Sequence, residues 1–398
     1  MTEQTNLVPK RRFKEFQKTH TWEQRKLGSI AAFNPKAELP ETFEYVDLES
    51  VVGIEIIAHR EETRATAPSR AQRLAKQGDL FYQTVRPYQK NNYLFEKADN
   101  NYVFSTGYAQ MRPFCNGYFL LSLVQTEPFV KSVLDRCTGT SYPAINSNDL
   151  ADMKVVVPAN GAEQNKIGSF FKQLDTTIAL QHRKLEKTKA LKSAYLSEMF
   201  PAEGEREPKR RFAGFTQAWE QCKLSEVAIY RNGKAHEKDI SDSGSFVVVN
   251  SKFVSTNGQI KKFTYKQIEP LKKNEIAFVL SDVPNGRAIA RTFLIPESNK
   301  YSLNQRIAGI TPNDNTDPYF LKELMNRHHY FLRFDDGVGQ TNLSKKEVED
   351  FEELYPVFAE QQKIGHFFNQ LENLIAIHQR KLEKLQDLKK AYLNEMFV

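Results

Sequence analysis

Along two stretches of the chain, apolar residues recur at alternating steps of four and three. The first series runs Ile167, Phe171, Leu174, Ile178, Gln181, Leu185, Thr188, Lys192, Tyr195 and Met199. The second runs Ile364, Phe368, Leu371, Ile375, His378, Leu382, Leu385, Lys389, Tyr392 and Met396. Such a series is a heptad seam, and it predicts two long helices that each turn one apolar stripe toward a partner. Neither stretch contains proline and each has its one glycine near its start, so helices of roughly 35 residues and about 50 Å are expected. Gln181, Lys192, His378 and Lys389 interrupt the stripe, and polar seam positions fix register and orientation at some cost in stability. His378 reads as such a spacer rather than as a metal ligand or a base.

Elsewhere the pattern shortens. Runs such as Asp79 to Val85, Asn116 to Leu121, Phe246 to Val249 and Glu275 to Leu280 are apolar or aromatic and are separated by polar turns. They predict strands with a few helices, an α+β fold, in each of two regions. The segment Pro201-Ala202-Glu203-Gly204-Glu205-Arg206-Glu207-Pro208 is charged and punctuated by proline and glycine, and reads as an exposed linker.

The helices belong to a tandem repeat. Glu163 to Phe200 matches Glu360 to Phe397 without a gap, with 24 identities in 38 positions at an offset of 197. Pro9-Lys10-Arg11-Arg12-Phe13 likewise matches Pro208-Lys209-Arg210-Arg211-Phe212, and Trp22-Glu23-Gln24 matches Trp219-Glu220-Gln221. Between these ends, residues 24–142 and 222–340 show little mutual similarity. A duplicated module whose middle alone diverges carries its selectivity in that middle, which a repeat serving only to enlarge a scaffold does not explain. Helices from two such repeats pair as an antiparallel coiled coil about a pseudo-twofold axis. Their attached domains are then expected at opposite ends, with the helix pair as a ruler.

Length and charge narrow the reading. A chain of 398 residues exceeds one ordinary core, and at 40% hydrophobic and 12% aromatic it has the material for two. The formal net charge of +7 favours an anionic partner. Cys115, Cys137 and Cys222 lie far apart in no metal-ligand spacing and read as reduced residues of a cytosolic protein. The opening Met1-Thr2-Glu3-Gln4 is no charged-then-apolar leader. The longest apolar stretch, around Tyr118 to Val124, falls short of the ~20 residues that span a bilayer, so a cytoplasmic protein is expected.

Cations concentrate in the divergent middles. Between Arg60 and Asn92 there are seven basic residues against three acidic, and between Lys252 and Arg291 eight against three, interleaved with Asn and Gln. Lys and Arg neutralise phosphates, while Arg can pair with guanine and Asn or Gln with adenine, so this mixture suits sequence reading. The candidates in the first region are Ser69, Arg70, Gln72, Arg73, Gln83, Arg86, Tyr88, Lys90, Asn91, Asn92 and Arg112. In the second they are Lys252, Lys261, Lys262, Asn285, Arg287, Asn304, Gln305 and Arg306. No site for catalysis or for a metal emerges. The chain has no Asn-Pro-Pro-Tyr or Asp-Pro-Pro-Tyr tetrad and no G-x-x-x-x-G-K-[ST] loop. The nuclease-like triplet Asp152-Met153-Lys154 becomes Asp350-Phe351-Glu352 in the other repeat, which favours a structural role.

Across nearly its whole length the chain resembles the specificity subunit of type I restriction-modification systems. The resemblance rests on Trp22-Glu23-Gln24-Arg25-Lys26-Leu27-Gly28, Gly337-Val338-Gly339-Gln340-Thr341-Asn342-Leu343-Ser344, Glu360-Gln361-Gln362-Lys363-Ile364-Gly365 and Arg380-Lys381-Leu382-Glu383-Lys384. The first copy ends its middle more loosely, as Tyr142-Pro143-Ala144-Ile145-Asn146-Ser147. The resemblance implies two DNA target-recognition domains, residues 1–142 and 208–340. Each is followed by a conserved helical region, 143–207 and 341–398. It further implies a bipartite, gapped double-stranded DNA target, and helical regions that dock modification (methyltransferase) and restriction (translocase and nuclease) subunits. S-adenosylmethionine, ATP and Mg are then expected on those partners and none on this chain. A free-standing DNA-binding regulator and a coiled-coil scaffold that binds protein remain as alternatives, and co-purification with a methyltransferase subunit separates the first reading from both.

Overall fold

The computed structural model describes residues 7–18, 22–139, 141–236 and 238–398. The opening tetrapeptide lies outside them. The chain forms two compact units, 1–182 with 380–398, and 183–379. These cut across the four-part division by sequence, because each unit takes its own middle together with segments of both long helices.

The long helices are Gly161–Met199 and Phe358–Met396, 39 residues each, or roughly 58 Å. Every heptad position named above is buried or half-buried. In the first unit the start of one helix lies antiparallel to the end of the other: Phe170 meets Tyr392 edge-on at 5.0 Å and Asp175 pairs with Lys389 at 2.6 Å. In the second unit the roles exchange, with Phe367 against Tyr195 at 4.9 Å and Glu372 against Lys192 at 2.7 Å.

The entry segment of each repeat closes its unit. Trp22–Lys26 pairs antiparallel with Lys154–Pro158, and Glu220–Lys223 with Glu352–Tyr355. Trp22 then packs against Phe119 and Phe397, with Phe397 also on Phe171. Trp219 packs against Phe320, which with Phe368 flanks Phe200. Each core is thus completed by the last turn of the other repeat's helix.

The divergent middles share one topology. The first has a four-stranded antiparallel sheet in the order Ala31–Phe33, Tyr108–Pro113, Leu80–Gln83, Tyr93–Leu94. The second has Ala228–Asn232, Ile307–Pro312, Ile276–Val279, Thr292–Leu294. Leu80–Gln83 and Ile276–Val279 are buried throughout, which accounts for their continuous apolar runs. A second sheet joins Thr42–Val46 to Tyr102–Ser105 in parallel, as Phe246–Val249 is joined to Tyr301–Leu303. The first domain extends this sheet by Ala71–Leu74, which has no counterpart in the order of the other.

The run Asn116 to Leu121, grouped above with the strand-like runs, is helical over Gly117–Val124. Asn116 accepts the Phe119 N–H at 2.9 Å and caps it, a local bond that outweighs the apolar run. Asp317 caps Pro318–Met325 in the same way. The long helices cross directly over these caps: a Cβ on Gly168 would lie 2.1 Å from Asn116 Oδ1, and one on Gly365 2.2 Å from Asp317 Oδ1. Only glycine fits there.

Candidate nucleic-acid interface

The arginines of the basic entry segments are held in ion pairs. Arg12 forks onto the fully buried Glu163 at 2.6 and 2.7 Å, and Arg211 onto Glu360 at 2.9 and 2.7 Å. Their neighbours reach the other helix of the unit, Arg11 to Glu395 and Arg210 to Glu198, each at 2.5 Å. These four arginines brace the helix pair, and a bidentate guanidinium–carboxylate pair supplies both direction and strength. Asp152 of the nuclease-like triplet pairs with Lys26 at 2.7 Å and Met153 is buried.

Within the first domain the structure divides the sequence candidates. Ser69, Arg70, Gln72 and Tyr88 are exposed and Arg86 is half-buried. Arg73 is half-buried too, and burial lowers its pKa. Two candidates, Gln83 and Asn92, are corrected by their burial. Gln83 and Asn92 are buried, the Asn92 carbonyl accepting the Gln83 N–H at 2.9 Å while the Gln83 amide donates to Val85 O and Gln89 Oε1. Arg112 forks onto the buried Asp79 at 2.8 Å through both nitrogens. Polar residue type cannot distinguish such internal bracing from surface display. Lys90 is tied to Glu127 at 2.7 Å, and Asn91 accepts the N–H of Gly53.

Within the second domain, Lys252, Lys261, Lys262, Asn285, Arg287, Gln305 and Arg306 are exposed, and Asn304 is half-buried with its side chain accepting the Gln305 N–H. Asn285 and Arg287 share one turn, and the Arg306 carbonyl accepts the Leu280 N–H that leads into it. Lys262 lies on strand Lys262–Thr264 of the other sheet, and Lys252 on helix Ser251–Ser255, which follows the neighbouring strand Phe246–Val249.

Sequence reasoning missed Tyr142, Arg291 and Arg327. Tyr142 is 63% exposed under the guanidinium of Arg86, 4.4 Å from its ring centre. Arg291 and Arg327 donate to carbonyls of the turn that carries Arg287. Tyr142 is an aromatic directly before Pro143, a signal open to inspection. Arg327 comes from a distant segment and no spacing rule reaches it.

His328, His329 and Glu353 form a group of metal-ligating type among the described residues. The His328 ring accepts the Tyr330 N–H at 3.3 Å through Nδ1, so its proton sits on Nε2, 3.3 Å from Glu353. The two imidazoles lie partly stacked, centres 4.2 Å apart at 38°. His328 is the N-cap of helix His329–Leu332, and that capping accounts for its place in the group.

A family model described as the type I restriction modification DNA specificity domain matches residues 20–190 and again 216–387. Over 294 residues, 70% of this chain and 68% of that protein, the sequence is 22% identical to the type I restriction enzyme MjaVIII specificity subunit of Methanocaldococcus jannaschii. Over 120 residues it is 29% identical to the HindI specificity subunit of Haemophilus influenzae. That alignment covers 28% of this chain, which thus spans only 26% of the relative's length. The fold is similar to a type I restriction-modification S subunit from M. genitalium, with a TM-score of 0.68 at 15% identity over 98% of this chain and 99% of that one. It is also similar to a chain studied for complex assembly and conformational transition of the type I R-M system, with a TM-score of 0.52 at 20% identity over 94% and 97%.

Proposed function

The chain belongs to the type I restriction-modification DNA specificity family, and from that premise we propose that it is the non-catalytic, sequence-reading subunit of a type I restriction-modification complex. Its two target-recognition domains each read one half of a gapped duplex target. The observation that carries this is the pairing of one topology with two unlike surfaces: matched sheets and matched helix contacts hold loops whose exposed residues differ. Duplication with retained frame and diverged loops is what reading two different half-sites requires.

The outer faces of the long helices support a docking role for modification and restriction subunits. Leu180 and Leu388 in the first unit, and Leu191, Leu374 and Ile377 in the second, are large apolar residues left 40–58% exposed away from the seam. Apolar residues left open on these faces are what a docked subunit would cover. S-adenosylmethionine, ATP and Mg are assigned to those partners. No helix among the described residues is long and apolar enough to cross a membrane.

Reconstitution tests the reading. The purified chain alone should show no methyltransferase, nuclease or ATPase activity, and adding a modification subunit should produce adenine methylation at a single bipartite sequence. Methylation by the rigorously purified single chain, or sequence-independent methylation by the complex, contradicts it.

A further inference from the structure

One edge of each recognition domain is built on the same backbone hydrogen bonds and carries different side chains. Where Leu80–Gln83 ends, the Thr84 N–H donates to Gly107 O and the Thr84 carbonyl accepts from Ile145 N, each at 3.0 Å. Where Ile276–Val279 ends, the Leu280 N–H donates to Arg306 O at 3.0 Å and the Leu280 carbonyl accepts from Leu343 N at 2.8 Å. In both domains two loops are thereby stitched together just beyond a fully buried strand.

The first domain's edge holds a single guanidinium in place. The Arg86 N–H donates to Pro143 O at 2.8 Å, and the buried Gln83 amide braces the turn from within. Arg86 has φ +55° and ψ +54°, a left-handed conformation that is strained for a non-glycine residue, and it stands directly before Pro87. Strain of this kind persists only where the surroundings impose it and clusters at functional sites. The guanidinium rests on the exposed Tyr142 ring and has no carboxylate partner among the described residues.

The second domain's edge gathers charge instead. The Asp282 carboxylate accepts the N–H groups of Val283, Ala288 and Ile289 and so fixes the turn. Arg291 Nε donates to Arg287 O at 2.6 Å, and Arg327 Nη1 to Gly286 O and Ile289 O at 3.2 and 3.3 Å. None of the three arginines is paired with a carboxylate among the described residues. Burial, then the charges of Arg327 and Arg287, lower the Arg291 pKa, the mark of positive charge left without a counter-ion.

We propose that this strand-exit edge is the DNA-contacting edge of both domains: Arg86, set by Tyr142, reads the edge of a base in one half-target, and Arg287, Arg291 and Arg327 clamp backbone phosphate at the other. This rests on the DNA-reading function proposed above. A lone guanidinium held in a fixed plane matches the two acceptors of guanine in the major groove. Three guanidiniums gathered at one turn, Arg287 and Arg291 from the turn itself and Arg327 from the segment that packs on it, match the oxygens of a phosphodiester, which carries no sequence information.

The test uses the full chain assembled with a modification subunit, read by methylome sequencing and by DNA affinity against salt concentration. Arg86→Ala and Arg86→Lys should both relax one position of one half-target, discrimination there falling about 10- to 100-fold. Tyr142→Ala should relax the same position less, and Tyr142→Phe, which keeps the ring, should retain the parent target. Arg291→Gln should leave both half-targets unchanged and reduce the slope of log affinity against log salt by about one. Thermal unfolding checks that each variant folds, and Arg86→Lys, which keeps the charge and the stem, carries the test should Arg86→Ala unfold. An unrelaxed target in Arg86→Lys, or an unchanged salt slope in Arg291→Gln, overturns the assignment. If the parent complex itself methylates without sequence preference, the DNA-reading function fails. A parent that reads a bipartite target while the variants behave identically to it overturns only the edge.

Discussion

In the first unit Lys389 pairs with Asp175, whose second oxygen accepts from the Tyr118 hydroxyl at 3.1 Å. In the second unit the equivalent Lys192 pairs with Glu372, and the pair grows into a network with Lys322 and Glu323 at 2.5–3.0 Å. The second domain helix is capped by Thr126 in one unit and by His328 in the other. The helix crossing is therefore retained while the domain packed against it changes its polar contacts. The lysine–carboxylate pair between the helices is kept in both units, and the domain residues packed against it, Tyr118 in one and Lys322 with Glu323 in the other, differ.

The largest break in that comparison should come from the shared aromatic core. Phe397 is buried against Trp22, Phe119 and Phe171, so Phe397→Ala should destabilise the first unit by about 3–5 kcal/mol. Phe200→Ala, at the half-buried counterpart, should cost the second unit less. The two tryptophans, Trp22 and Trp219, fall one in each unit, so single-tryptophan variants followed by fluorescence in urea assign each loss to its unit.

A smaller, pH-dependent difference should follow from the caps. Burial, then the charge of His329, pushes His328 down to about 4 from its ordinary 6.5. Below about pH 6.5 the unfolded chain takes up a proton that folded His328 refuses. The second unit should therefore lose stability as pH falls from about 6.5 to about 4, by on the order of 3 kcal/mol. His328→Thr, which borrows the cap of the first unit, should remove this loss. Burial works to raise the Glu372 carboxyl, but Lys322 and Lys192 outweigh it and hold it at about 2. A depressed carboxyl stabilises above its unfolded value and loses that contribution as pH falls toward 2, so Glu372→Gln should flatten the acid limb below about pH 4.5. Urea melts across pH, read at Trp219, separate the two windows.

The smallest effect should come from converting one network into the other. Leu121 and Ser122 occupy the helix positions of Lys322 and Glu323. Lys322→Leu with Glu323→Ser leaves Lys192 paired with Glu372, and replacing a buried ion pair as a whole is near neutral. The expected change is about 1 kcal/mol or less, measured by the same melts. A loss of several would show the network to be essential to the fold.

Much of this architecture was legible in the sequence because it is periodic or duplicated. The heptads predicted the long helices, and Leu80–Gln83 and Ile276–Val279 were visible as buried strands. What escaped depends on contacts distant along the chain. Arg11 and Arg12 read as a basic entry segment until Glu395 and Glu163 are brought to them. Gln83 and Asn92 have the chemistry of a DNA reader, yet serve as internal braces. Gly168 and Gly365 look like helix-weakening residues, and only the caps beneath them give the reason. The candidate interface was legible as a charge bias and not as a surface.

The central claim is that each divergent middle reads its own half-target while the shared frame does not. Exchanging residues 24–142 for the equivalent stretch of another family member, then sequencing the methylome of cells carrying the chimaera and its modification subunit, tests this directly. The account predicts a new base sequence in one half of the target and an unaltered other half. A change in both halves, or in neither from an active enzyme, contradicts it.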